Sequence, residues 1–132
     1  MTAPVPYVLF PGTARQALTA YAAVFGGEAR LHTLAEFGRT DGPADAVAHG
    51  ELVGGPVALA GADATGEQQP VQAAGLMLSL LGTADPDTLR AWFAGLAEGG
   101  RVVEDLQHRP WGATDGQVVD RHGLHWLIGF EQ

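Results

Sequence analysis

The stretch GTARQALTAYAAVFGG, residues 12–27, has a counterpart at residues 82–100 that reads GTADPDTLRAWFAGLAEGG. Each copy begins with Gly-Thr-Ala, continues with apolar residues three or four positions apart and ends with two glycines. That spacing is typical of an amphipathic helix, and glycine commonly ends one. Because the unit occurs only twice, it indicates one domain built from two similar modules rather than a long repeat protein.

Short β-prone runs surround both predicted helices. Before the first helix, Thr13 and Gln16 have the spacing of a capping box, and before the second, Asp85 is an N-cap followed by Pro86. Eight strands are predicted, at 7–10, 28–37, 47–53, 57–60, 75–81, 101–107, 116–120 and 124–130. The predicted fold class is therefore α+β, with two βαβββ modules whose cupped mixed sheets enclose a cavity and whose helices lie outside.

Length and composition fit a folded domain and exclude several classes of function. The 132 residues form one predicted domain, with modules at 1–62 and 75–132 and a linker at 63–74. A formal net charge of -8 opposes binding to nucleic acid and to anionic membranes, and the lack of cysteine excludes disulfides and thiolate chemistry. No apolar run is long enough to cross a bilayer, and no signal-peptide pattern opens the chain. We therefore expect a cytoplasmic protein whose partner is a small-molecule ligand, with no nucleic acid and no membrane.

Several stretches carry a resemblance to a known family. They are YVLFPGTA at 7–14, FGGE at 25–28, HGEL at 49–52, the pairs Gly99-Gly100 and Trp111-Gly112, and DRHGLHWLI at 120–128. Together they resemble the vicinal oxygen chelate superfamily of glyoxalases, bleomycin-resistance proteins and dioxygenases, in its PhnB-like branch. The resemblance implies a single glyoxalase-like domain and a homodimer. It also implies that any metal ligands would come from the cavity face of the first and last strands of each module.

Side chains that cannot bind a divalent cation occupy those ligand positions. They are Pro6, Val8, Ala58, Ala60, Gly75, Met77 and Leu127. No G-x-G-x-x-G pattern follows a strand, so a dinucleotide is not expected either. We therefore expect neither a metal nor another cofactor, and we assign no catalytic residue.

Strand alternation predicts which side chains face the cavity. One face is predicted to contain Val8, Phe10, Ala58, Ala60, Met77, Ser79, His125 and Leu127, whereas Trp126 and Ile128 lie under the helices. Of the first set, Phe10, Ala60, Met77, Ser79 and His125 are predicted to bind the ligand. His125 is the titratable group among them, with a partly exposed strand histidine as the alternative interpretation.

Three further residues are candidates for the same site. His49 and Glu51 lie on one face of the third strand, where they would act as a base and its orienting partner, or simply as solvated side chains. Trp111 has two interpretations: it closes over a flat ligand, or it packs against a dimer partner.

The leading hypothesis is a metal-independent protein whose apolar cavity binds a small, partly hydrophobic molecule for sequestration or carriage. An alternative is a metal-dependent lyase, isomerase or dioxygenase whose metal is held by unusual ligands such as His49, Glu51 and His125. A second alternative is a dimeric interaction protein without a ligand site.

Overall fold

The computed structural model describes residues 3–131 and divides the chain into two compact units, with the boundary between Val71 and Gln72. The first unit, module one, contains β1 (Tyr7–Phe10), α1 (Ala14–Phe25), β2 (Glu28–Thr33), a short 3-10 helix (Ala35–Phe37), β3 (Val47–Val53) and β4 (Ala60–Asp63). The second unit, module two, contains β5 (Leu78–Leu81), α2 (Pro86–Ala97), β6 (Arg101–His108), β7 (Ala113–Val119) and β8 (His125–Glu131).

Each module has one mixed four-stranded sheet. The strand orders are β1-β4-β3-β2 and β5-β8-β7-β6, with β1 parallel to β4 and β5 parallel to β8. The remaining neighbours are antiparallel. The predicted α+β class with two βαβββ modules is confirmed, whereas the enclosure of a cavity by the two sheets stays a prediction. None of the helices between residues 3 and 131 is long and apolar enough to span a bilayer.

In module one, α1 packs on one face of its sheet through a stripe of apolar residues that includes the fully buried Leu18. A Cβ atom at Gly50 would lie 2.6 Å from Leu18 Cδ1, so the helix approaches the sheet closely at β3. Gly61 is the partner of Gly50 on β4, and a Cβ atom there would lie 2.9 Å from the Phe10 ring. Phe10 therefore lies on the face that α1 covers.

The start of α1 differs from the predicted capping box. Thr13 occupies the N-cap position, but its side chain makes no capping hydrogen bond. The carboxylate of Asp63 on β4 instead accepts hydrogen bonds from the backbone N–H groups of Ala14 and Val47, both at 2.9 Å. Asp63 is buried and therefore ties the beginning of α1 to two strands.

In module two, α2 covers the sheet face that carries Trp126, Ile128 and Phe130, all three buried as core residues. The Arg90 guanidinium of α2 lies 4.9 Å from the centre of the Phe130 ring. Trp126 and Ile128 thus lie under the helix, as predicted. Asp85 caps α2 by accepting a hydrogen bond from the backbone N–H of Thr88 at 2.8 Å, and Pro86 is the first helical residue.

The predicted position of the fourth strand was wrong. Strand β4 begins at Ala60, where the prediction ended, because Ala60 pairs with Tyr7 and Glu51 and its N–H bonds to the Pro6 carbonyl. Residue 58 therefore lies in the connection before the strand, and β4 extends one residue beyond the predicted end of module one.

Other strand ends also differ from the predictions. Strand β2 stops at Thr33 because the chain turns into the 3-10 helix, with the Leu34 N–H bonded to the Ala46 carbonyl. Strand β5 begins only at Leu78, after Gly75 has taken a left-handed turn at φ 79. Strand β7 begins three residues earlier than predicted, at Ala113, and ends before Asp120. Strand β6 reaches His108, and β8 runs from His125 to Glu131.

Candidate ligand-binding site

The sheet face of module two that is turned away from α2 combines apolar and polar side chains. We call it the open face of module two. Register places Ser79 of β5, Leu127 of β8, Gln117 of β7 and Glu104 of β6 side by side across it. His125 lies on the same face because it alternates with the helix-facing Trp126.

A continuous hydrogen-bonded row crosses the β6 and β7 side of this face. His125 Nε2 lies 2.9 Å from Gln117 Oε1, and Gln117 Nε2 donates to Glu104 Oε1 at 3.4 Å. Arg109 donates to Glu104 Oε2 at 3.2 Å and to Asp115 Oδ1 at 2.9 and 2.8 Å. We call these five residues the polar row.

The ion pairs of the polar row are partly withdrawn from water. The side chains of Arg109 and Asp115 are 20% and 22% exposed. Hydrogen bonds to Asp115 and Glu104 raise the pKa of the Arg109 guanidinium, which keeps its charge at all physiological pH values. By donating to both carboxylates, Arg109 holds Glu104 and Asp115 in position on this face.

An open cleft of about 280 Å³ lies at one end of the open face of module two. Trp111, in the loop between β6 and β7, forms one wall with 72% of its surface exposed. The cleft is lined by Leu81, Gly82, Trp111, Ala113, Thr114, Asp115, Gly129, Phe130 and Glu131. It therefore places apolar surface next to the charged end of the polar row, at Asp115.

The face of module one that is turned away from α1 carries a hydrogen-bonded pair of aromatic side chains, Tyr7 and His49. The Tyr7 hydroxyl lies 3.0 Å from His49 Nδ1, and the two rings stack with their centres 5.5 Å apart. Burial raises the pKa of Tyr7, while the nearby Arg39 guanidinium acts in the opposite direction. The side chain that bonds to His49 is thus Tyr7, whereas the sequence hypothesis had named Glu51.

A second histidine on that face has an acidic partner. His32 Nδ1 lies 3.1 Å from Glu36 Oε2, and the imidazole stacks on Phe37 with ring centres 5.6 Å apart. The hydrogen bond from His32 holds the pKa of the Glu36 carboxyl below its ordinary value. The carboxylate accepts, so Nδ1 is the nitrogen of His32 that donates.

The face predicted for Phe10 and Val8 was wrong. Phe10 has no exposed surface and both residues are buried toward α1, because Tyr7 and Leu9 are the β1 residues that face outward. Ala60 lies on the outward face of module one beside Tyr7 but is buried, and Glu51 lies next to it on β3.

Ser79, His125 and Leu127 do share one face, as predicted from strand alternation. Met77 precedes β5 and is exposed. Whether these residues, and Phe10, Ala60, His49, Glu51 and Trp111, bind a ligand stays a prediction.

Sequence reasoning missed Tyr7 and four members of the polar row. For Asp115 and Gln117 the sequence does contain a usable pattern, because they alternate with Thr114, Gly116 and Val118 along a single strand. For Glu104 and Arg109 it contains none, because two register shifts between β6 and β7 decide which side chains meet.

Within residues 3–131, no group of three or more histidine, aspartate or glutamate side chains is arranged to hold a metal ion.

Several solved structures are similar to this chain over its whole length. Protein PA1353 from Pseudomonas aeruginosa is 30% identical, with 100% of this chain and 99% of that chain covered and a TM-score of 0.80. A glyoxalase/bleomycin resistance protein/dioxygenase superfamily member from Sphaerobacter thermophilus is 18% identical over 99% of each chain, with a TM-score of 0.56. This chain has the fold of the vicinal oxygen chelate superfamily.

One further solved structure is similar to this chain, and two comparisons of the sequence found no match. The PhnB protein from Bacillus cereus has the same fold as this chain, with 17% identity, 98% and 99% coverage and a TM-score of 0.79. No protein-family model matches the sequence, and no curated protein matches it. The comparisons thus establish the fold, while the chemistry has to be argued from the site.

Proposed function

We propose that the open face of module two binds a small, partly hydrophobic molecule without a metal, for sequestration or carriage. The observation that carries this proposal is the combination of exposed apolar side chains, a cleft and a hydrogen-bonded polar row on one sheet face. Small-molecule sites commonly combine an apolar wall with a few placed polar groups.

The apolar part of the proposed site is formed by Leu81, Trp111 and Leu127. Leu81 is 50% exposed although leucine is usually buried, and Trp111 is more exposed still. Exposed apolar side chains gathered at one place mark a surface that contacts another molecule. An aromatic or aliphatic ligand body would cover them.

The polar row argues against an anionic ligand. It sets one guanidinium, Arg109, against two carboxylates, Glu104 and Asp115, and the chain as a whole carries a net charge of -8. Since the two carboxylates outweigh the single positive charge of Arg109, a ligand carboxylate or phosphate would meet a net negative group here. The ligand we propose is therefore neutral or cationic.

A thermal-shift screen of small, partly apolar molecules tests the proposal. We expect neutral hits whose affinity falls by about two- to tenfold in Trp111→Ala, since an aromatic contact contributes about 0.5–1.5 kcal/mol. Trp111 is largely exposed, so the melting temperature of the free variant should stay close to that of the parent protein. The matched control is Phe37→Ala, which removes an exposed aromatic side chain of module one.

Two results would contradict the proposal. One is a screen in which no neutral or cationic molecule raises the melting temperature. The other is a set of hits that lose equal affinity in Trp111→Ala and Phe37→Ala, since binding would then not depend on the cleft.

A further inference from the structure

We propose that Gln117 sets the tautomer of His125, so that Nδ1 of His125 acts as a hydrogen-bond acceptor and the site selects ligands with a hydroxyl or N–H donor on an apolar body. Gln117 is thus a positioning residue, and the ligand class rests on the function proposed above. The inference follows from the direction of each hydrogen bond in the polar row.

The charged end of the row fixes the orientation of the Gln117 amide. The Arg109 guanidinium can only donate, and the Glu104 carboxylate that it contacts can only accept. Glu104 must therefore receive a hydrogen bond from Gln117, which turns the Gln117 NH2 group toward it at 3.4 Å. The opposite orientation would bring two acceptor oxygens together.

The amide orientation then fixes the protonated nitrogen of His125. The Gln117 carbonyl oxygen, which lies 2.9 Å from Nε2, can only accept, so Nε2 carries the proton. In a neutral imidazole the other nitrogen, Nδ1, keeps its lone pair. Among residues 3–131, Nδ1 of His125 has no hydrogen-bond partner.

This acceptor lies on the open face of module two beside Leu127, at the end of β8 opposite to the one that lines the cleft. Leu127 is two residues from His125 on the same face, and Ser79 is paired with Leu127. The Ser79 hydroxyl both donates and accepts, so it imposes no preference of its own. A phenol, an alcohol or an amide on an apolar body would satisfy Nδ1, whereas an ether of the same shape would leave it unsatisfied.

The tautomer can be measured in the free protein by nitrogen–proton NMR of the imidazoles, at a pH at which they are neutral. We expect the proton of His125 on Nε2 as a single tautomer. His32 is an internal control with the opposite expectation, because its Nδ1 faces the Glu36 carboxylate. Gln117→Leu should give His125 a mixture of tautomers. Gln107→Leu removes another donor to Glu104, at 3.4 Å, and should leave His125 unchanged.

The ligand preference can be measured with 1-naphthol, whose hydroxyl group can donate a hydrogen bond, and with 1-methoxynaphthalene, in which a methyl group replaces the hydroxyl hydrogen. We expect the parent protein to bind 1-naphthol about two- to tenfold more tightly, the range that corresponds to one neutral hydrogen bond. The preference should fall in Gln117→Leu and persist in Gln107→Leu.

The outcomes separate this inference from the proposed function. A proton on Nδ1 of His125 in the parent protein, or equal affinity for the two probes, would overturn the inference while leaving an apolar binding site in place. If other molecules of the thermal-shift screen bind and neither probe does, the ligand class alone fails. If neither the probes nor any molecule of the screen binds, the proposed function fails and the ligand class fails with it.

Discussion

Asp63 connects the beginning of α1 to two strands, so its loss should lower the stability of module one. Its carboxylate satisfies two backbone donors, Ala14 N–H and Val47 N–H, and it is 8% exposed. We expect Asp63→Ala to lower the free energy of unfolding by about 1–3 kcal/mol for each donor left unsatisfied. Urea denaturation of the variant measures this loss.

The matched control is Asp85→Ala, which removes one exposed cap from α2. Its effect should be smaller, because water replaces the lost hydrogen bond at the exposed helix end. An Asp63→Ala variant that is no less stable than Asp85→Ala would show that the two buried N–H groups find other partners.

His122 should make stability depend on pH near neutrality. Burial lowers the pKa of His122 below its ordinary value of 6.5, although the Asp120 carboxylate opposes the shift. The unfolded chain therefore binds the proton more readily than the folded one, and stability that is present above pH 6.5 is lost as the pH falls through the folded-state pKa. We expect His122→Gln to reduce this loss, measured as the urea midpoint above and below pH 6.5. An unchanged pH dependence in the variant would contradict this assignment.

The sequence predicts which side chains share a face of the candidate site better than it predicts which of them form hydrogen bonds. Alternation was enough to place His125 and Leu127 together, because it depends only on the strand period. The hydrogen bond between His125 and Gln117 depends on which residues of β7 and β8 lie opposite one another, and the sequence alone does not determine that register. The same holds for Tyr7 and His49, which are brought together across β4.

At the level of elements, β4 shows how tertiary packing overrides local propensity. Its sequence AGAD is poor in β-branched and aromatic residues, whereas the preceding residues 57–59 are more apolar and were predicted as strand. The small residues are required because β4 lies between β1 and β3, with the Phe10 ring against Gly61. The helices and β3 were predictable because their patterns and end signals agree with their packing.

Gly61→Ala tests that explanation of β4. A Cβ atom at Gly61 would lie 2.5 Å from the Val8 carbonyl oxygen and 2.9 Å from the Phe10 ring. Because the backbone of β1 cannot move aside without disturbing its pairing, we expect a loss of about 1–3 kcal/mol in unfolding free energy. Equal stability of the parent protein and Gly61→Ala would show that β1 and β4 can separate at little cost.

For the whole molecule, the repeated helix sequence predicted the architecture well. Both modules have the same strand order and the same parallel pairing of first and last strands. The repeat could not predict the polar row, because the two modules differ in the side chains of their outward faces.

We expect the protein to form a homodimer. Each sheet ends in two edge strands, and unpaired strand edges favour association. Leu76 and Met77, which precede β5, are also exposed apolar side chains. Light scattering at micromolar concentration should give twice the mass of one chain, and Leu76→Asp should lower the fraction of dimer. A parent protein with the mass of one chain would contradict the expectation.

We expect the two carboxylate caps to give the modules different folding kinetics. Ala14 and Asp63 are 49 residues apart in sequence, whereas Asp85 and Thr88 are three residues apart. A cap between distant residues forms only after the intervening loop has closed, while a local cap can form early. Stopped-flow measurements should therefore show that Asp63→Ala mainly accelerates unfolding and that Asp85→Ala mainly slows refolding. We therefore expect α2 to form early in folding, and α1 to become ordered only after β4 has joined the sheet.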